Sequence, residues 1–442
     1  MKLVIIGGAG FRVPQVMAAV AASGPVDEVV LVDTDARRLQ VMAAVLQQQD
    51  LGRRLRVSVS GSLPDALGGA SFIFCAIRVG GTAARVADER VALELGVLGQ
   101  ETTGPGGLAY AWRTIPVMLD IAQTVRRVAP EAWFVNFTNP AGIVTEALQP
   151  VLGDRVVGIC DTPIGLIRRA SEAVGATGTV GYDYVGLNHL GWLRTLVVDG
   201  VDQLPALLSS PDRLERIEEA RLIGLDWVRQ LGALPNEYLF YYYSNREAVE
   251  RIRSAPSTRG EFLADQQERF YDAAADSPER AFQLWRASRN ERERSYMAEA
   301  RTTGEERDAG DAEGGYQGVA LALMTALAGG QPATAIVNVA NHGQVPGMPR
   351  GAVVEIPCDV DAGGVRPHRV EPLTGHMLGL LQTVKAVEQL AIRAAVEHSP
   401  GLAWQALAHH PLVDSVAVAQ RLLTGYRARI PEVDAALAGG RD

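Results

Sequence analysis

Lys2-Leu3-Val4-Ile5-Ile6-Gly7-Gly8-Ala9-Gly10 opens the chain as a short apolar strand running straight into three glycines, and a helical pattern follows from about Pro14. A strand, a glycine turn and a helix in that order bring backbone amides and a helix N-terminus to one point, an arrangement suited to a pyrophosphate. Val13 stands where the usual fingerprint has its third glycine. Outward from this stretch, Glu28–Asp33, Arg56–Ser60, Ser71–Arg78, Trp133–Phe137 and Val156–Cys160 are further β-branched runs separated by helical segments. This βαβ rhythm predicts a doubly wound parallel sheet, whose ligands bind beyond the carboxyl ends of its strands. Asp33 ends the second strand, where a carboxylate can accept hydrogen bonds from adenosine ribose hydroxyls and so favours NAD. Arg37 and Arg38 nearby keep NADP open.

With 442 residues the chain is long enough for two closely packed domains. Its apolar content of 47% and charged content of 21% are those of a folded globular protein. A net charge of -9 argues against a surface that tracks nucleic-acid phosphates, although a few arginines can still meet a small anion. The N-terminus has the short apolar run of a strand without the features of a signal peptide, and no stretch is long and apolar enough for a membrane span. Cys75, Cys160 and Cys358 are too few and scattered for a disulfide framework, which fits a reducing cytoplasm.

Beyond about residue 170 the pattern changes. Val185–Trp192 and Leu193–Val198 read as antiparallel strands, long helical segments follow, and the expected division is into residues 1–168 and 169–442. The stretch from Gln266 to Asp311, dense in Glu, Arg and Asp, reads as a solvated helical face ending in a mobile loop around Thr302–Asp311, with no function assigned. Tyr316–Leu327 reads as a buried helix, and Ala335–Val339 and Val353–Pro357 as strands.

The loops at the strand ends carry the candidate chemistry. Asn136-Phe137-Thr138-Asn139-Pro140 joins a strand to a helix start; Cys160-Asp161 places a thiol and a carboxyl at another strand end; and in Gly186-Leu187-Asn188-His189-Leu190-Gly191-Trp192 an Asn-His pair interrupts an apolar run. Cys with His is a plausible first-row metal pair, although either alone is more often a satisfied core residue. Arg78 ends the fourth expected strand, Arg85 follows a Gly80-Gly81 turn, and Gln100–Gly107 is a polar glycine-rich loop, read equally well as a ligand cover or a connector.

Taken together, these blocks resemble glycoside hydrolase family 4, the NAD- and metal-dependent glycosidases, especially its 6-phospho-β-glucosidases. The resemblance rests on the glycine turn, Ile77-Arg78-Val79-Gly80, Gly99-Gln100-Glu101-Thr102, Asn136–Pro140, Cys160-Asp161-Thr162-Pro163, Gly186–Trp192, Pro235-Asn236-Glu237-Tyr238-Leu239, Thr258-Arg259 and Val354-Glu355-Ile356-Pro357-Cys358, and it covers essentially the whole chain. It implies a Rossmann-like N-terminal domain of the lactate/malate-dehydrogenase kind, a C-terminal α+β catalytic domain, and a homodimer or homotetramer. It also implies a route outside two-carboxylate hydrolysis, in which NAD oxidises the sugar at C3, a base removes the C2 proton, the C1 group is eliminated, water adds, and the hydride returns.

By position, the resemblance makes Cys160 and His189 the ligands of a divalent metal that the family implies is manganese, and Tyr238 the base at C2. It makes Asn139 and Asn188 sugar contacts, and Arg259, Arg85 and Arg78 contacts to the sugar phosphate. Gly7, Gly8, Gly10 and Asp33 would hold NAD. Two positions depart from the pattern. Phe11-Arg12 replaces the Ser-Thr pair of the phospho-glycosidases, with Arg12 as the available substitute. Asp161 stands where many β-specific members carry Asn, and it can protonate a leaving group, so the 6-phospho-α-glucosidase reading stays open beside an unphosphorylated glucoside or uronide. A 2-hydroxy-acid dehydrogenase shares the first domain but has no use for a Cys-His pair.

Overall fold

The structure is a computed structural model and describes residues 1–22, 24–51, 55–295, 297 and 315–438. The loop expected around Thr302–Asp311 lies outside the described residues. Thirteen strands form one sheet: β1 (Lys2–Ile6), β2 (Glu28–Val32), β3 (Arg56–Ser60), β4 (Phe72–Cys75), β5 (Trp133–Asn136), β6 (Val156–Gly158), β7 (Gly181–Leu187), β8 (Leu190–Val198), β9 (Val201–Asp202), β10 (Leu234–Pro235), β11 (Ala333–Ala340), β12 (Val353–Asp361) and β13 (Gly364–Pro367). The first six are parallel in the order β3-β2-β1-β4-β5-β6, the doubly wound arrangement that the βαβ rhythm predicts. The chain has a Rossmann-like N-terminal part. From β6 the sheet continues without a break into antiparallel β11, β12, β7, β8 and β10.

Strands covered on both faces need apolar residues at successive positions, and β1 and β2 supply them. Leu3, Ile5, Val29 and Leu31 enter one core, while Val4, Ile6, Val30 and Val32 enter the core on the opposite face. At the edge, β3 (Arg-Val-Ser-Val-Ser) is mostly exposed.

Register places the chemistry. One row of paired residues crosses the sheet: Val32, Ile6, Cys75, Asn136, Gly158, Asn338, Glu355, Gly186 and Gly191. Every parallel strand therefore ends at the same level, and the loops bearing Gly7, Asp33, Asn139 and Cys160 open along one edge. The antiparallel strands deliver the Asn188-His189 turn to that edge because Gly186 pairs with Gly191. The expected strand Val185–Trp192 is thus two strands joined at Asn188-His189, since His189 takes the left-handed backbone conformation (φ 64°) that closes a tight hairpin.

The charge-dense segment forms the helices Arg259–Asp276 and Ala281–Arg294. They are not merely a solvated face. Tyr271 and Trp285, with Tyr316 from the helix Tyr316–Leu327, donate to the carbonyls of Ala9 (2.6 Å), Phe11 (2.8 Å) and Arg12 (3.2 Å), clamping the glycine turn.

Candidate active site

A cavity of about 890 Å³ opens at the carboxyl edge of the sheet, within the roughly 300–1,000 Å³ usual for small-molecule sites. Asn139, Cys160, Asp161, His189 and Tyr238 line it together, and so do Arg12, Arg85, Arg259, Arg289 and Arg292. Residues as far apart in sequence as Arg12 and Tyr316 thus share one space.

Asp33 accepts from the amides of Ala9 and Asp35, both at 3.0 Å, which fixes its carboxylate beside the glycine turn with lone pairs to spare for a diol. Gly7 is required there: its φ is 87°, and a Cβ would stand 2.6 Å from the Ala76 carbonyl oxygen. Arg37 and Arg38 are engaged elsewhere, with Asp272 at 2.8 Å and Asp35 at 3.4 Å, and Arg38 also lies over the Tyr271 ring.

Cys160 and His189 are both buried. Burial, reinforced by the Glu355 and Asp161 carboxylates, pushes the Cys160 thiol well above its ordinary pKa, a bias that a cation beside the sulfur would reverse. Burial lowers His189 to about 4, so the imidazole is held neutral with one nitrogen lone pair free. The neighbouring loop decides which nitrogen. Gln100 Oε1 accepts from the amides of Thr102 and Thr103, both at 2.6 Å, and from the Thr102 hydroxyl at 3.1 Å. That hydroxyl, having given its proton to Gln100, meets His189 Nδ1 at 2.9 Å with a lone pair, so Nδ1 carries the hydrogen and Nε2 is the unprotonated nitrogen. Gly107 lets the loop fold this tightly, because a Cβ there would stand 2.4 Å from the Thr102 carbonyl oxygen.

A Cys-His pair with an unprotonated imidazole nitrogen fits a divalent cation that leaves further positions to substrate oxygens. The cavity also holds Asp161 and Asn139, and the buried Oδ1 of Asn139 has no hydrogen-bond partner among the described residues. Among the described residues, no group of three or more His, Cys, Asp or Glu side chains forms a closed cage. The Tyr238 ring stacks on His189 with centroids 3.7 Å apart and planes within 3°, while Asn236 caps its turn by accepting from the Tyr238 amide at 3.1 Å.

Part of the lining is cationic. Burial first, and then the charges of Arg12, Arg259 and Arg85, hold Arg292 well below the usual arginine pKa; such mutual repulsion marks a cluster that an anion would neutralise. Arg259 is braced by donating to the Ser295 hydroxyl at 2.5 Å and the Arg292 carbonyl at 2.9 Å. Arg12 lies over the rings of Phe137 and Tyr316. Arg85 pairs with Glu89 at 3.0 Å and Glu101 at 2.9 Å, and Glu89 also accepts from the Gly260 amide at 2.7 Å, which ties the helix Gly81–Glu94 to the start of Arg259–Asp276. Burial pushes the Glu101 carboxyl up, but Arg78 and Arg85 outweigh it and hold it down at about 2.

Two expected contacts are placed elsewhere. Arg78 lies outside the cavity lining, over the Tyr110 ring, and pairs with Glu101 at 2.8 Å. Asn188 turns away from the cavity and donates to Glu355 at 3.2 Å. Conversely, Arg289 and Arg292 line the cavity although they lie in the stretch expected to be a solvated face, because charge density alone does not reveal which side of a helix meets a cavity. Thr102 belongs to the Gly-Gln-Glu-Thr block, but nothing in the sequence links its hydroxyl to His189.

Comparison with known proteins decides the family. The pattern of the Family 4 glycosyl hydrolases matches residues 2–176, and that of the Family 4 glycosyl hydrolase C-terminal domain matches residues 184–413. The chain belongs to glycosyl hydrolase family 4. This family 4 enzyme is 29% identical to a 6-phospho-beta-glucosidase of Escherichia coli K12, over 98% of this chain and 96% of the relative. A maltose-6'-phosphate glucosidase of Bacillus subtilis is 28% identical over 96% and 94% of the two chains. Among solved structures, the 6-phospho-beta-glucosidase of Thermotoga maritima with manganese, NAD+ and glucose-6-phosphate superposes with a TM-score of 0.81 at 27% identity, covering 98% of this chain and 99% of that one. No described helix of the family 4 chain is long and apolar enough to cross a membrane.

Proposed function

We propose that this chain hydrolyses 6-phospho-β-glucosides with NAD and a divalent cation, manganese in the first instance. The observation that carries the reading is one cavity lined both by Cys160, His189, Tyr238 and Asn139 and by an arginine cluster. NAD bound at Gly7, Gly8, Gly10 and Asp33 would supply reversible hydride acceptance at sugar C3, and a cation held by Cys160 and His189 would supply Lewis-acid polarisation of the adjacent sugar oxygens. Arg12, Arg259 and Arg292, with Arg85 behind them, hold the 6-phosphate and thereby orient the ring. Asn139 meets a sugar hydroxyl through its unpartnered Oδ1. Tyr238 takes the C2 proton at its phenolic oxygen, and Asp161, which makes no capping hydrogen bond at its helix start, moves a proton at the glycosidic oxygen.

Asp161 also favours a second reading, a 6-phospho-α-glucosidase of the same mechanism. We further propose that residues 1–168 bind the nucleotide, that residues 169–442 complete the catalytic site and a homo-oligomer, and that the enzyme works in a reducing cytoplasm. The last is supported by three buried cysteines, none of them in a disulfide. The test is nitrophenol release from the two anomers of nitrophenyl glucoside 6-phosphate and their unphosphorylated counterparts, with and without NAD and Mn²⁺. Cleavage of the phosphorylated β anomer that needs both additions is expected. Cleavage of the α anomer alone selects the second reading, reaction of unphosphorylated sugars alone removes the phosphate role of the arginines, and accumulating NADH would point to a dehydrogenase.

A further inference from the structure

Glu355 is 1% exposed in the middle of β12, beside Asn338 in the row that crosses the sheet. Its Oε1 accepts from Asn188 Nδ2 at 3.2 Å and Asn338 Nδ2 at 3.0 Å, and its Oε2 accepts from the Tyr184 hydroxyl at 3.1 Å. Among the described residues no lysine or arginine pairs with it. A buried carboxylate served only by neutral donors is costly, and an apolar side chain would fill a strand interior at lower cost. Packing alone therefore does not account for it.

Its hydrogen bonds lead to the two chemical segments of the cavity. Asn188 immediately precedes His189 in the hairpin turn. Tyr184 accepts from Asn236 Nδ2 at 3.2 Å, and Asn236 caps the turn Glu237–Leu239 that contains Tyr238. The same Asn236 is bound through its amide to the Gly191 carbonyl at 2.9 Å, next to the His189 hairpin. Space for this junction is reserved: a Cβ on Gly191 would stand 2.3 Å from the Tyr184 hydroxyl, and one on Gly142 would stand 3.2 Å from Asn188 Cβ. The parallel stack of His189 on Tyr238 requires both turns to hold one relative position.

We propose that Glu355 is a positioning residue that locks the His189 hairpin and the Tyr238 turn to each other through two arms, Asn188 on one side and Tyr184 with Asn236 on the other. The roles of His189 as ligand and Tyr238 as base rest on the proposed function; the mechanical coupling does not. Each arm can be cut separately, by Asn188→Ala or Tyr184→Phe, and Glu355→Met removes both acceptor oxygens at similar side-chain length.

The experiment combines backbone hydrogen exchange with Mn²⁺ binding, read from the electron paramagnetic resonance of the free ion, and exchange of the substrate C2 proton with solvent. In Glu355→Met, exchange should accelerate about tenfold in both segments, 186–192 and 236–243, with kcat down about tenfold and KM little changed. Tyr184→Phe should loosen only 236–243 and slow C2 proton exchange at unchanged Mn²⁺ affinity. Asn188→Ala should loosen only 186–192 and weaken Mn²⁺ binding. Wild-type exchange in both segments of Glu355→Met would overturn the proposal, as would acceleration spread evenly over the whole chain in all three variants. A wild-type protein that binds no Mn²⁺ would instead overturn the catalytic roles, and the exchange data would still decide whether Glu355 couples the two turns.

Discussion

Thr102→Val isolates the contact that sets the state of His189. Valine keeps the shape of threonine and deletes the oxygen that stands 2.9 Å from Nδ1. The buried Nδ1–H then has no acceptor, and the ring lowers its energy by carrying its hydrogen on Nε2, where it occupies the lone pair needed by a metal. Becoming imidazolium is not an alternative near neutral pH, because burial holds this group at about 4. Loss of a partner behind a ligand of this kind weakens metal binding by about 10–100-fold. That corresponds to about 1.4–2.8 kcal/mol. The fold itself should lose only the net worth of the two hydrogen bonds of this hydroxyl, to Gln100 and His189, about 2 kcal/mol. The assay is a Mn²⁺ titration followed by paramagnetic resonance, paired with urea unfolding without metal. A folded Thr102→Val protein that binds Mn²⁺ within about twofold of the wild type would refute the tautomer argument.

Two further outcomes follow from the charges around the cavity. Arg292→Met removes a cation that its neighbours repel, so the free enzyme should melt at a higher temperature. It also loses a charge-assisted contact of about 1.5–3 kcal/mol, so KM for a phosphorylated glucoside should rise about 10–100-fold. Thermal shift with and without glucose 6-phosphate reads both signs, and undiminished protection by the ligand would take Arg292 out of the phosphate site. Glu101→Gln tests the clamp on Arg78 and Arg85. The folded carboxyl titrates at about 2 against an ordinary 4.5, so its contribution is fully present above 4.5 and is lost as pH falls toward 2. That difference is worth roughly 3 kcal/mol. Urea unfolding should show the variant much weaker near neutral pH with a flatter acid limb, and parallel pH profiles for the two proteins would count against the clamp.

Much of the architecture was legible because local patterns there are dictated by local physics. Strands covered on both faces must be apolar, and a chain that turns at Gly7 with a φ of 87° needs glycine, so β1, β2 and the glycine turn could be read from a few residues each. Cys160 and Asp161 were legible as candidates because strand ends in such sheets face ligands. His189 was recognised as an interruption in an apolar run, yet its backbone role was missed. The period of two continues up to the turn on both sides, and nothing local marks the left-handed residue.

What the sequence alone determined is the set of groups and the edge at which they gather: the parallel half-sheet, the glycine turn with Asp33, and the loops bearing Asn139 and Cys160. Tertiary structure decided which groups meet. Strand register carries the His189 hairpin to the level of Cys160, a helix dense in charges turns Arg289 and Arg292 toward the cavity, and Arg78 and Asn188 find carboxylates instead of lining it. The reason is physical: periodicity reports which face of an element is apolar, whereas hydrogen bonds and ion pairs depend on distances of about 3 Å between residues hundreds of positions apart, which only the packed sheet establishes.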